Sequence, residues 1–252
     1  MTALVGVLVP AAGLGVRLGP GVPKALRELA GEPVLLHAVR GLRAAPSVGA
    51  IVVAAPAADV EAVRDLFADH HLDHDVTVVA GGAERQDSVR LARAALPTQV
   101  ELVLVHDAAR CLTPVSVIEA VVAALRAGAD AVVPVLPVAD TVKQVDGSRV
   151  IATVDRAALR AVQTPQGFRR AVLEKAHAGG AASRTDDAGL VEALGVTVLT
   201  VPGADEAFKL TRPLDLLLAE ALLAVSGSGD VTRSGNVTRS GNGRHSGGSH
   251  AS

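Results

Sequence analysis

The chain has 252 residues, of which 49% are hydrophobic and 1% aromatic, with a formal net charge of −2 and one cysteine. That is enough apolar material for one large α/β domain or two small ones, while the near-neutral charge and the lack of aromatic stacking platforms argue against a nucleic-acid partner. A lone Cys111 excludes an internal disulfide framework and a multi-cysteine zinc site, and the N-terminal apolar stretch has no basic n-region and is interrupted by Pro10, so the expected setting is the cytoplasm, with no membrane partner.

The chain opens on an apolar, β-branched run from Leu4 to Val9 without polar alternation, as in a strand covered on both faces of a parallel sheet. Pro10 ends it, and Ala11, Ala12, Gly13, Leu14 and Gly15 follow. A turn this small can bring backbone N–H groups close to phosphates. Arg17 and Lys24 add two full positive charges on the same segment, a combination suited to a nucleoside triphosphate. A dinucleotide fingerprint would need glycine where Leu18 stands, and a phosphate-loop NTPase would need Ser or Thr where Ala25 stands. By itself, then, the segment is either a phosphate cradle or a plain strand-to-helix turn with solvated charges.

Pro33 to Ala44 has helical spacing, Ala50 to Ala55 reads as a second buried strand, Ala58 to Ala68 as a helix and Val76 to Ala80 as a third strand. The βαβαβ order favours a parallel sheet with helices on both faces. His70, His71 and His74 sit in an Asp-rich connection, where a solvated loop is the ordinary outcome rather than a metal site. The third strand runs into a second glycine turn, Gly81 and Gly82, ahead of a helix predicted over Val89 to Ala95. In an open parallel sheet it would fall beside the first turn, where the Gly81–Ala83 backbone and the Ser88 hydroxyl could read the edge of a base. Arg85 is either a ligand contact or a structural hydrogen-bond hub.

A fourth strand, Leu102 to Val105, ends in His106, Asp107, Ala108, Ala109 and Arg110, which places an acid where it can meet a substrate hydroxyl. After a helix from Pro114 to Arg126 and a strand from Ala131 to Val135 the alternation breaks. Between Pro137 and Leu159 two β-rich runs, Asp140 to Val145 and Arg149 to Val154, flank an Asp146–Gly147 turn signal. A two-stranded hairpin is marginal alone, so it reads as an arm that packs on something, such as a second subunit. Gln163 to Phe168 leads into a helix from Arg169 to about Ala178. A further helix is expected from an N-cap at Thr185 to Gly195, then a strand from Val196 to Val201, and a final helix from Pro213 to Ala224. Lys209 is a lone cation between apolar neighbours, either a strand-edge charge or a phosphate contact. From Val225 the sequence turns to Ser, Gly, Asn and Arg, with VTRSGN in tandem, and is expected to be a disordered tail over 225–252.

Six pieces taken together carry a resemblance: PAAGLGVRL with Pro23 and Lys24, GGAERQDSV, VHDAAR, TVDR, QTPQ, and FKLTRP with Asp215. In order and spacing they closely resemble the 2-C-methyl-D-erythritol 4-phosphate cytidylyltransferases, over residues 3 to 224. The resemblance implies a Rossmann-like, mostly parallel sheet with helices on both faces, in one domain over 1–224, a protruding β-hairpin arm at about 137–159 and a homodimer with exchanged arms. It implies CTP and a polyol phosphate as substrates, with Mg2+ or a similar divalent cation held mainly through the CTP phosphates and no protein metal ligand. By position, Ala11, Ala12, Gly13, Gly15, Gly82 and Ser88 match residues around the nucleotide. Arg17, Lys24, Arg156 and Lys209 match the catalytic cations. Asp107, Ala108, Arg110, Thr141 and Thr164 match the acceptor site, with Thr141 and Arg156 reaching in from the partner's arm. Two positions depart from the pattern: Ala83 replaces a frequent Asp, and Ala207 replaces a frequent Asn two residues before the lysine. The rival readings are a ribitol 5-phosphate cytidylyltransferase and a non-catalytic nucleotide-binding regulator.

Overall fold

The computed structural model describes residues 4–13, 23–178 and 185–231. In chain order its elements are β1 (Leu4–Pro10), a short hairpin of β2 (Glu28–Leu29) and β3 (Glu32–Pro33), α1 (Val34–Arg43), β4 (Val48–Ala55), α2 (Val60–Asp69), β5 (Val76–Ala80), α3 (Arg85–Ala94), β6 (Val100–Val105), α4 (Val115–Arg126) and β7 (Ala131–Pro137). There follow β8 (Val142–Asp146), β9 (Arg149–Val154), β10 (Arg160–Val162), β11 (Gln166–Arg169), α5 (Arg170–Ala178), α6 (Asp187–Glu192), β12 (Val198–Pro202) and α7 (Pro213–Val231).

The main sheet has eight strands, with β5, β4, β1, β6, β11 and β7 in line, β12 parallel to β7, and β10 antiparallel to it. The pairs β1–β4, β1–β6 and β4–β5 are all parallel. Because β1 sits between β4 and β6, the strand order reverses there, which opens a crevice at the carboxyl ends of β1 and β6 where α/β sheets take their ligands.

Alternate residues of β1 serve opposite faces. Val5, Val7 and Val9 pack with Leu35 and Leu36 of α1, Phe67 of α2 and Ile118 of α4. Leu8 packs on the other side with Val89 of α3, Leu173 of α5 and Leu190 of α6. Helices on both faces explain why these strands are apolar without a break. Leu8, Ile51, Leu102, Leu104 and Phe168 are fully buried, each stabilising the fold by about 1.5–3 kcal/mol.

Four details differ from expectation. Gln163 to Phe168 leads into a helix as expected, α5 starting at Arg170, but Gln166–Arg169 is itself a strand, β11, antiparallel between β6 and β7. Gly167 is what lets α4 lie over this strand, since a Cβ there would come within 2.5 Å of Val121 Cγ1 and 2.8 Å of Leu125 Cδ1. Helix α3 begins at Arg85 rather than Val89, because Arg85, Gln86 and Asp87 form a polar first turn with no apolar period to reveal it. The N-cap of α6 is Asp186, whose carboxylate accepts from Gly189 N, not Thr185. Finally, α7 continues past Ala224 to Val231; the tail residues 232–252 lie outside the described residues.

The arm is β8 paired antiparallel with β9 and, among the described residues, with no other strand, closed by a turn in which Gly147 takes φ +54°. Among the described residues no helix is long and apolar enough to cross a membrane.

Candidate active site

Parallel strands bring their carboxyl-end loops to one edge of the sheet, and a cavity of about 230 Å³ opens there. Its first wall is the turn after β1: Ala11, Ala12 and Gly13, anchored by Ala11 N donating to Ala54 O at 2.8 Å. Lys24 joins this wall from a 3-10 turn over Lys24–Leu26. Gly15 and Arg17 lie outside the described residues.

The second wall is the turn after β5. Gly81 N donates to Ala55 O at 2.7 Å, and Gly82 N donates to Ser88 Oγ at 3.1 Å. The Ser88 hydroxyl in turn donates to Glu84 O at 3.2 Å, so this side chain pins the turn from within. The two walls touch closely enough that a Cβ on Gly81 would lie 2.5 Å from Ala12 Cβ and 2.9 Å from Ser88 Oγ. Glycine at 81 is therefore a requirement of close approach.

Opposite stand Asp107 and Ala108, just past β6, and Lys209 with Thr211 from the segment between β12 and α7. Asp107 has a side chain only 13% exposed, yet both its oxygens face cations: Oδ2 accepts from Lys209 Nζ at 2.7 Å and Oδ1 from Arg85 Nε at 3.2 Å. Burial alone would raise its pKa, but the charges of Arg85, Lys209 and Arg110 outweigh that and hold the carboxyl well below its ordinary range. Arg85 also donates through Nη1 to Asp187 Oδ2 at 2.5 Å. It is thus a hydrogen-bond hub that also lines the cavity, and with two carboxylates outweighing its burial its pKa is raised.

Behind Asp107 the supports are neutral. Its backbone N–H donates to Thr164 Oγ1 at 3.1 Å, and the same hydroxyl lies 3.1 Å from His106 Nδ1. His106 is 1% exposed, and burial brings its pKa down to about 4, so it is an uncharged wall residue at neutral pH. Arg110 reaches away from the cavity, with Nη1 donating to Ala207 O at 2.7 Å and Nη2 to Val162 O at 3.2 Å. Position 207 therefore acts through its carbonyl, and the alanine found there leaves Lys209 anchored by Asp107. Asp215 fixes the turn before α7 by accepting from Thr211 N, Thr211 Oγ1 and Arg212 N at 2.6, 2.8 and 2.7 Å.

The sequence-derived candidates divide into two places. Ala11, Ala12, Gly13, Lys24, Gly82, Ser88, Asp107, Ala108 and Lys209 line the cavity, with Thr164 and Arg110 packed behind it. Thr141 and Arg156 belong to the arm. Arg156 Nη1 donates to Ala139 O at the arm's base, and both line a separate open hollow with Pro137, Asp155 and Arg160. Among the described residues none lines both the cavity and this hollow. Asp187 and His177 were not legible as partners of the site: each is far along the chain from Arg85, and the only hint was a pair of acids opening a helix.

Among the described residues there is no group of three or more His, Cys, Asp or Glu side chains placed to hold a metal ion. The one acid facing Lys209 has both oxygens already occupied by cations. The donors among the described residues therefore do not fit a resident divalent cation.

A sequence model of the family "2-C-methyl-D-erythritol 4-phosphate cytidylyltransferase" matches residues 5–225. A protein of that name from Frankia casuarinae is 58% identical over 230 residues, covering 91% of this chain and 85% of the relative. One from Saccharopolyspora erythraea is 58% identical over 221 residues, covering 86% and 98%. The crystal structure of 2-C-methyl-D-erythritol 4-phosphate cytidylyltransferase from Thermus thermophilus superposes with a TM-score of 0.72 at 38% identity, covering 86% of this chain and 98% of that one. The sequence matches and the structural superposition agree, and the chain belongs to the 2-C-methyl-D-erythritol 4-phosphate cytidylyltransferase family.

Proposed function

We propose that this protein transfers the cytidylyl group of CTP to 2-C-methyl-D-erythritol 4-phosphate, releasing pyrophosphate, as a step in isoprenoid precursor synthesis. The observation that carries the reading is the meeting at one sheet edge of two glycine turns and Lys24 with the facing pair Asp107 and Lys209. The first group suits a triphosphate and the second an acceptor bearing both hydroxyls and a phosphate.

An oxygen of the acceptor phosphate attacks the α-phosphorus of CTP, and the bond to the β-phosphate oxygen breaks. A phosphomonoester with a second pKa of about 6 is already mostly dianionic at neutral pH, so the step needs neither a protein nucleophile nor a general base. The chain's task is to hold mutually repelling anions in line and stabilise the charge that develops on the phosphoryl oxygens. Lys24 and Arg17 serve the triphosphate. Lys209 and Arg156 hold the incoming phosphate, Asp107 and Thr164 hold the acceptor, and Arg110 fixes the backbone around Ala207. A divalent cation such as Mg2+ enters with CTP, on its phosphates.

We further propose a homodimer in which the arm crosses to the neighbouring subunit. Val145, Val150 and Ile151 on the arm are each more than half exposed, and among the described residues β8–β9 pairs only with itself, so the hairpin presents apolar surface for another body to cover. Arg156 and Thr141 would then complete the partner's acceptor site. The cytoplasm suits Cys111, a free thiol whose burial pushes its pKa up to about 12.

The test is pyrophosphate release with Mg2+ and CTP against methylerythritol, ribitol and erythritol phosphates. Release should depend on the acceptor and be fastest with the methylerythritol compound. A preference for ribitol 5-phosphate, release without acceptor, or none at all would overturn the reading.

A further inference from the structure

From Lys209 a line of side-chain contacts runs inward through Asp107, Arg85 and Asp187 to His177, and the last two do not line the cavity. Asp187 opens α6 and is 0% exposed, with its two carboxylate oxygens divided between Arg85 Nη1 at 2.5 Å and His177 Nε2 at 2.9 Å. His177, on α5, is 4% exposed on its side chain. Burying a carboxylate this deeply costs several kcal/mol that its partners must offset, and an apolar packing of α5 on α6 would not carry that cost. His177 and the Arg85 guanidinium share that task, and Arg85 also meets Asp107.

We infer that Asp187 is a positioning residue for the acceptor half of the site, acting through Arg85 to keep Asp107 turned toward Lys209. The inference rests on the function proposed above. A guanidinium prefers to grip one carboxylate with two parallel N–H donors. With Asp187 holding Nη1, the guanidinium is fixed in an orientation in which Nε meets Asp107 Oδ1, and the second oxygen of Asp107 is left for the Lys209 ammonium. Without the charge on Asp187, Arg85 is free to turn, Asp107 loses its fixed orientation, and Lys209 loses its anchor. The cavity-facing trio Lys209, Asp107 and Arg85 carries one net positive charge, which suits an incoming phosphate only while Lys209 stays in place.

The experiment is steady-state pyrophosphate release on the full chain, varying each substrate with the other saturating. In Asp187→Asn the KM for the acceptor should rise about tenfold while the KM for CTP moves less than about twofold, the size expected when a binding group loses its support but remains in the site. Arg85→Lys, which has one ammonium and cannot bridge both acids, should show the same split and guards against loss of folding in Asp187→Asn. His177→Gln keeps the charge of Asp187 and a donor beside it, and should leave the acceptor KM near that of the wild type. Equal shifts in both KM values, or an unchanged acceptor KM in folded Asp187→Asn and Arg85→Lys, would overturn the inference. If the wild-type chain does not use methylerythritol phosphate at all, it is the proposed function that falls instead.

Discussion

Replacing Asp107 with asparagine keeps the shape of the side chain and removes the one negative charge between two cations. At 2.7 Å from Lys209 Nζ and 3.2 Å from Arg85 Nε, the gross attractions at an effective dielectric of about 20 are about 6 and 5 kcal/mol, most of which offsets the cost of burying the ions. What the substitution exposes is the uncompensated remainder. A broken buried pair costs about 3–5 kcal/mol, and because the Lys209 side chain is 37% exposed and can turn to water, the lower end, about 3 kcal/mol, applies. For a domain of this size that is a fall in Tm of about 6–12 °C. The pH dependence carries a second check. The folded-state pKa of Asp107 is depressed, so its contribution is fully present above the unfolded value of about 3.9 and is lost as pH falls toward the folded value. Calorimetric melts of both proteins should therefore show a constant gap from pH 8 to about 5, narrowing below about 4. Equal Tm values at pH 7, or a gap that widens on acidification, would refute the assignment of Asp107 as the charge that joins Arg85 to Lys209.

Lys24→Ala should lower kcat by about a hundredfold or more at saturating CTP, as expected on losing one transition-state donor; turnover near wild type in the pyrophosphate assay removes Lys24 from the mechanism. Arg156→Ala should chiefly raise the acceptor KM. The crossing of the arm can be checked by co-expressing Lys24→Ala with Arg156→Ala and purifying the mixed dimer through two tags: if Arg156 acts in the neighbour's site, one of the two sites is intact and about half the activity returns, whereas an arm acting on its own subunit leaves both sites defective. Gly81→Ala drives a methyl into Ala12 and Ser88, so it should weaken CTP binding and lower stability by about 1–3 kcal/mol, measured as KM for CTP and as a urea midpoint; an unaltered KM would show that the two turns do not need to touch.

Where one physical rule dominates, the fold is legible in the chain. Leu4 to Val9 and Ala50 to Ala55 are apolar because helices cover both faces of β1 and β4, so periodicity alone identifies them. β11 escapes that reading: Gln166 and Gly167 are poor strand formers, and they are chosen by α4 lying across them and by the Gln166 side chain, which donates to Asp186 Oδ2 and accepts from Ala188 N. Strand identity there is set by what packs on it. The site divides in the same way. Glycines after strands and an acid at a strand's end announce the cavity, because loop chemistry at carboxyl edges follows from the topology. The roles of Thr141, Arg156 and Thr164 came only through resemblance, since nothing local distinguishes an arm threonine from any exposed one. The Arg85–Asp187 pair spans 102 positions, and no spacing rule reaches that far.

The antiparallel strand β11 has a bearing on how the molecule is made. It fills the slot between β6 and β7, so when residues up to Val105 have left the ribosome, the outer backbone edge of β6 has no neighbour until Gln166 to Arg169 emerge. The arm is synthesised during that interval. An open strand edge is a template for pairing with another chain, and the apolar hairpin is then extruded beside it. Slowing translation across the codons between β6 and β11 should therefore increase aggregation of newly made chains, whereas slowing it after Arg169, once the slot can close, should matter far less.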